Sequence, residues 1–304
     1  MAGPHAALLP AAPGQAPRLH LQHGPIDLVI SADGAESEVA AAYRQAGDRF
    51  ATVLAELVEE LPALRRAAAA GDPPLAGATA RRMQAAVRPH AAHGFVTPMA
   101  AVAGAVADEV LAAMARGRDL RRAQINNGGD IALHLAPGQS YTVGLVPRPD
   151  RPALAGAMRV AAGEGIGGVA TSGRHGRSLS LGVADAVTVL AADAAAADAA
   201  ATLIANAVDP GDHPAVRRLP ARTVDPDSDL GDRPVVVAVG RLSDGDVAAA
   251  LAAGLARAED MARRGLIAGA ALCLDGRLRA TGAAAPRLAP PPQHRNVHGG
   301  TVHA

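Results

Sequence analysis

Apolar positions recur along the chain first with period two and then with the period of a helix. HGPIDLVISADG alternates so that Ile26, Leu28 and Ile30 share one face, which predicts a strand ending in a turn. VAAAYRQAGDRFATVLAELVEELPALRRAAAA follows, with Val39, Tyr43, Ala46, Phe50, Val53, Leu54, Leu57 and Leu61 at three- and four-residue spacings. That spacing predicts a long helix with one apolar face. A second helix is expected over 75–87. A third follows Pro98, where AAVAGAVADEVLAAMARG is small and apolar on nearly every side and should be deeply buried. The period then shortens: RRAQINNGGDIALHLAPGQ, SYTVGLVPR, AMRVAA, GGVATSG, SLSLG and ADAVTVLAAD read as short strands punctuated by Gly, Pro and Asn. A helix over AAAADAAATLIANAVD, a strand PVVVAVG and a helix over DGDVAAALAAGLARAEDMARRG come next, and LIAGAALCLDGRLRATG closes as a hairpin about Asp275-Gly276. Helices gather early and strands in the middle, which favours α+β over an alternating α/β sheet. The Pro-, Gly- and Ala-rich ends, 1–17 and 283–304, lack periodicity and read as disordered tails around one domain, 18–282.

Composition narrows the chemistry. Hydrophobic residues make up 49% of the 304 but aromatics only 1%, so the core is built from Ala, Val and Leu, and stacking platforms for single-stranded nucleic acid are nearly excluded. All 29 basic residues are Arg and are balanced by 29 acidic ones, leaving no net charge to attract nucleic acid or an anionic membrane. Without lysine there is no Schiff-base amine and no Walker lysine. Cys273, the only cysteine, sits in an apolar strand-like run and reads as a packed small hydrophobe. The N-terminus shows no basic-then-apolar leader and no run of about 18 uninterrupted apolar residues occurs, so a soluble cytoplasmic protein is expected. His294, His298 and His303 fall in the C-terminal tail and read as solvent-exposed bystanders.

Three stretches are more polar than a scaffold requires. In Asn126-Asn127-Gly128-Gly129-Asp130, two glycines permit unusual backbone angles while Asn and Asp supply donors and acceptors. A plain hairpin turn uses the same residues. Gly163 to Arg177 contains GxGxxG on paper, but a β-type VATSG follows where a Rossmann fingerprint must open a helix. What remains is a Gly-rich backbone with Gly168, Thr171, Ser172, Gly173 and Arg174, a combination suited to phosphate oxygens or to an ordinary surface loop. Ser172, His175 and Asp185 have no spacing that marks a catalytic triad. Asp198 and Thr202, at i and i+4 of one helix, present oxygens on one face. They suit a hard cation, although Asp also serves a helix dipole.

In their order, NNGGDI, GVATSGR, AVTVLA and ADAAATLI resemble the ApbE-like superfamily, the FAD:protein FMN transferases. HGPIDL, FVTPMAAVAGAVADEVL and PDSDLGDRPVVVAVG are similar to an uncharacterised branch of it, so that the likeness spans about 19–282. The resemblance implies an α+β fold of duplicated T-fold-like units, antiparallel sheets packed by helices, with FAD in a cleft and Mg²⁺ at its pyrophosphate. It places the metal on Asp198, Thr202 and the carbonyl of Ala103. It places the NxGGD segment on Asn126, Gly128, Gly129 and Asp130; with Asn127 beside them and the phosphate-suited Gly168, Thr171, Ser172, Gly173 and Arg174, these are the candidate cofactor contacts. The implied chemistry is attack of a protein hydroxyl on the phosphorus of the FMN moiety with loss of AMP.

The departures are equally specific. The H-IDPRTG-like motif that follows TSG in the transferases is absent, as is the lysine of their GGIAKG-like segment. His175 is the only histidine in the shortened interval and is the candidate base. Two further readings stay open: a non-catalytic flavin carrier or assembly partner, and a homo-oligomeric scaffold whose Ala-rich helices form subunit contacts.

Overall fold

Most strands of this chain hydrogen-bond in the order in which they are made. The structure, a computed structural model, describes residues 3–10, 17–148, 153–284 and 301–303. Three strands, β1 (His5–Leu9), β2 (Arg18–His23) and β3 (Ile26–Gly34), lead into helices α1 (Glu36–Glu59), α2 (Leu61–Leu64), α3 (Ala78–Val87) and α4 (Val102–Ala115). Strands β4 (Leu120–Asn127), β5 (Asp130–Leu135), β6 (Ser140–Leu145), β7 (Gly156–Ala161), β8 (Gly168–Ser172) and β9 (Ala186–Ala191) follow. The remainder comprises α5 (Ala194–Ala207), β10 (Val216–Pro220), α6 (Ala221–Val224), β11 (Pro234–Val239), α7 (Asp244–Arg263), β12 (Gly269–Leu274), β13 (Arg277–Gly282) and β14 (Thr301–His303).

Nine strands form one sheet in the order β1-β2-β3-β4-β5-β8-β9-β12-β13, and every neighbouring pair is antiparallel. Apart from the edge strand β1, the sheet is two units of one plan. Hairpin β2–β3, helices α1–α4 and hairpin β4–β5 make the first; hairpin β8–β9, α5–α7 and hairpin β12–β13 make the second. This is the α+β duplication of helix-packed antiparallel sheet that the sequence led us to expect. Strict antiparallel order has a consequence: the connections inside β2–β3, β4–β5, β8–β9 and β12–β13 all emerge at one end of the sheet.

The helices cover one face. Leu28, Ile30 and Ile125 pack with Phe50, Val53, Val106 and Val110 in the first unit. Val187, Val189 and Leu272 pack with Ile204 and Leu251 in the second. On the opposite face Ile131, Leu133, Val169 and Leu190 lie beneath Tyr141, Val143, Met158 and Val160 of hairpin β6–β7. The middle strands are therefore buried on both sides, which is why AVTVLA shows no alternation.

Several expectations shift. The second helix starts at Ala78 rather than 75, and the third at Val102 after a 3-10 turn, Pro98–Ala101. SLSLG is not a strand: the Leu181 N–H is taken by the Asn206 side chain at 3.0 Å, and Gly182 lies against the carbonyls that end α5. PVVVAVG forms β11, which pairs with β10 in a two-stranded ribbon separate from the large sheet. Of 1–17, His5–Leu9 are a strand paired with β2. Of 283–304, Thr301–His303 pair in parallel with β6, whereas His294 and His298 lie outside the described residues. Pro98–Ala115 has the length and mean hydropathy, 1.4, of a membrane span although charges interrupt it, and half of it is buried inside the fold. The Ala-rich α4 and α5 are thus consumed as core within the chain. Cys273 is buried on β12, and that burial pushes its thiol up to about 11.

Candidate functional site

Small residues let α4 and α5 approach until their N-terminal ends meet. A Cβ on Gly104 would run into the Ala194 carbonyl. Free N–H groups at helix starts need acceptors, and each helix draws one from the other. Asp108 of α4 accepts from Ala194 N at 3.0 Å and Ala195 N at 2.8 Å, while Asp198 of α5 accepts from Gly104 N at 3.0 Å. Asp193 caps α5 locally through Ala196 N at 2.8 Å. Asp198 is buried among these groups, one turn before the half-buried Thr202 on the same helical face.

The β4–β5 turn joins this junction. Asn127 Nδ2 donates to the Ala103 carbonyl at 3.0 Å, and Asn126 Oδ1 accepts from Gly129 N at 2.8 Å to close the turn. Gly128 at φ +67° and Gly129 at φ +114° occupy backbone that side chains disfavour. Asp130 starts β5 and accepts from Thr171 N at 3.2 Å, and the Thr171 and Thr188 hydroxyls are 2.8 Å apart. Burial pushes the Asp130 carboxyl up to about 7, against the pull of the Thr171 N–H and Arg177. Asp198 is raised well above the carboxylate range, first by burial and then by the charge of Asp130, with the Gly104 and Ala103 N–H groups opposing. The Asp130 and Asp198 carboxylates thus lie near enough across the junction of the two units for the charge of one to raise the other.

The loop 173–185 ties the hairpin turns together. Arg174 donates to Asp185 Oδ1 from Nε at 2.9 Å and from its terminal nitrogen at 2.6 Å, and His175 Nε2 lies 3.1 Å from the same oxygen. Asp185 Oδ2 accepts from Asp275 N in the β12–β13 turn at 2.7 Å. Arg177 reaches the other way: its guanidinium covers Gly128 and lies 3.4 Å from the Pro25 carbonyl in the β2–β3 turn.

The sequence candidates sort accordingly. Asn126, Asn127, Gly128, Gly129, Asp130, Thr171, Ala103 and Asp198 are brought together at the junction. Gly168 and Gly173 are glycines for packing, since a Cβ on either would meet the backbone of Asp193–Ala194 or of Asp185. Arg174 is held by Asp185. Ser172 ends β8, and among the described residues no hydrogen bond joins it to His175. Asp108, which caps α5, is a functional residue the sequence reading missed; its signal is the acid pair Asp108-Glu109 within the otherwise apolar run AGAVADEVL. Among the described residues no three His, Cys, Asp or Glu side chains converge as a metal cage. The oxygens of the hard type a divalent cation takes are the Asp130 and Asp198 carboxylates and the second lone pair of the Ala103 carbonyl, with the Thr202 hydroxyl one turn along the helix from Asp198.

A family model described as "AbpE bacteria" matches residues 7–280. The chain belongs to this family. Among curated relatives of this AbpE bacteria member, a UPF0280 protein of Methanopyrus kandleri is 44% identical over 145 residues, 47% of this chain and 56% of that protein. Another, from Methanothrix thermoacetophila, is 43% identical over 124 residues, 40% and 50% of the two chains. The chain spans about half the length of these curated relatives. A solved ApbE protein from Thermotoga maritima is similar at 12% identity with a TM-score of 0.43, covering 94% of this chain and 100% of that one.

Proposed function

We propose that the chain binds FAD together with Mg²⁺ at the junction of its two units and uses the pair to transfer FMN to a protein hydroxyl. The observation that carries this reading is the buried carboxylate of Asp198 with the half-buried Asp130 near enough for its charge to raise it, beside the glycine turn 128–129. Two such groups in low dielectric repel one another unless a proton or cation lies near them. Asp198, Thr202 and the Ala103 carbonyl would hold Mg²⁺, with Asp130 supplying further negative charge. The open backbone of Gly128-Gly129 and the hydroxyls of Thr171 and Ser172 would meet the phosphates and ribityl chain. The order of motifs shared with the FAD:protein FMN transferases supports FAD as the dinucleotide.

Bound Mg²⁺ supplies charge neutralisation at the pyrophosphate. The acceptor hydroxyl oxygen forms a bond to the phosphorus of the FMN moiety, the P–O bond to AMP breaks, and AMP leaves with the electron pair. His175 receives the hydroxyl proton, its ring oriented by Asp185. A carrier reading is favoured by one observation: Arg174 and His175 share the same Asp185 oxygen, so the imidazole is tied into a structural ion pair.

Calorimetric titration with FAD, with and without Mg²⁺, tests binding, and AMP release in the presence of a protein acceptor tests transfer. The proposal expects FAD binding that strengthens with Mg²⁺ and loses that dependence in Asp198→Ala. FAD binding unaffected by Mg²⁺, or no binding at all, rejects it. Binding without AMP release leaves the carrier.

A further inference from the structure

The residue that the Gly-rich stretch offers most readily for a phosphate is Arg174, yet Arg174 spends its guanidinium on Asp185 through two bonds of 2.9 and 2.6 Å. Its side chain is largely covered. Three residues on, Arg177 is exposed, and among the described residues its one hydrogen bond is a 3.4 Å contact with the Pro25 carbonyl. That contact is at the outer limit of a hydrogen bond and is made with a neutral acceptor. The guanidinium lies over Gly128, so close that a Cβ there would meet its terminal nitrogen at 2.5 Å. It also stands near enough to Asp130 for its charge to draw on that carboxyl. A planar cation with loosely held donors, placed over a bare glycine turn at the mouth of a site lined by carboxylates, is built to take an anion brought in with a metal.

We infer that Arg177 is the phosphate clamp of the junction: it screens Asp130 when no divalent cation is present and swings its guanidinium onto the pyrophosphate of the incoming dinucleotide. The inference rests on the FAD reading above. Two roles follow from one side chain. A divalent cation near Asp130 and Asp198 takes over the screening, and the positive field it shares with Arg177 frees the guanidinium to follow the phosphates. Gly128 keeps the path between the two positions open.

The test compares FAD with riboflavin, which carries the same ring and ribityl chain without phosphate, on the full-length protein by fluorescence quenching in the presence of Mg²⁺. Arg177→Gln is expected to weaken FAD about 10- to 100-fold, the range of a charge-assisted contact, and to leave riboflavin affinity within about threefold. Arg177→Lys is expected to recover part of the loss. A second arm titrates Mg²⁺ alone: without its competing cation, Arg177→Gln should bind Mg²⁺ more tightly than the wild type. Circular dichroism confirms that the variant is folded, as expected for an exposed side chain with one weak anchor. If wild-type protein binds FAD and Arg177→Gln binds it equally well, the clamp is rejected and the FAD reading stands. If the wild type binds no FAD, both fall.

Discussion

Gly128 shows how closely a single residue of this site is constrained. Its φ of +67° costs an L residue roughly 1–2 kcal/mol, and its missing side chain is the space occupied by Arg177. Gly138 has a comparable φ of +79° with open space around it. Urea unfolding of Gly128→Ala and Gly138→Ala should therefore show both destabilised by the backbone effect, with Gly128→Ala the worse by whatever displacing Arg177 costs. Equal losses would mean that the guanidinium moves aside freely. The turn itself was legible, because Asn and Gly chemistry is local: Asn126 closes its own turn on Gly129. The choice between Arg174 and Arg177 was not. It is decided by Asp185, eleven positions after Arg174, and by a β2–β3 turn some 150 residues away, neither of which leaves a mark in the local pattern.

At the scale of elements, the α4–α5 junction holds the site and carries two predictions. Gly104→Ala puts a methyl group into the Ala194 carbonyl between two packed helices, and overpacking of this kind costs about 1–3 kcal/mol. It should lower the urea midpoint and, by moving Asp198 off the Gly104 N–H, weaken Mg²⁺ binding as well. Asp108 makes the junction sensitive to pH. Burial raises its carboxyl to about 7 in the folded chain, against about 3.9 when unfolded. Between those values the native state holds a proton that the unfolded state has lost, so this group's contribution to stability falls as pH rises from about 4 to about 7. His90 acts oppositely. Burial, then Arg257, Arg264 and His93, hold its imidazole down to about 4, so its contribution rises with pH between about 4 and 6.5. Asp108→Asn should remove the falling component and tilt the stability profile upward by at most about 1.4 kcal/mol per pH unit, read from urea unfolding at several pH values. An unchanged profile would show that Asp108 titrates normally. That α4 is buried was readable from its apolar circumference. That it meets α5 end to end was not, since the two helices come from different units and only the sheet order brings them together.

Considered as a whole molecule, the site belongs to neither unit alone. Asn127, Asp130, Ala103 and Asp108 come from the first; Thr171, Asp198 and the loop bearing His175 and Arg177 come from the second, joined across the β5–β8 pairing. The duplicated plan was legible in outline because hairpin and helix signals are periodic. The edge strand β1 was not, nor was the pairing of the expected strand PVVVAVG with β10 in a separate ribbon, because strand partners are set by tertiary order rather than by local sequence. A ligand held by both halves should stabilise the molecule as one cooperative unit, and the chain contains a reporter for this. Cys273 is its only thiol, buried on β12 with its proton held to about 11, so a thiol reagent reaches it when that strand opens. If opening of β12 requires global unfolding, ligand binding lowers the labelling rate by the factor 1 + [L]/Kd, about 100-fold at one hundred times the dissociation constant. Labelling followed with Mg²⁺ and FAD present at such concentrations should show that protection, and Asp198→Ala should lose it. Protection of only a few-fold, with FAD binding intact by calorimetry, would mean that β12 and β13 fray from the sheet while the junction stays closed. The two units would then be coupled only along the central strands, and stability measured at the edge would say nothing about the site.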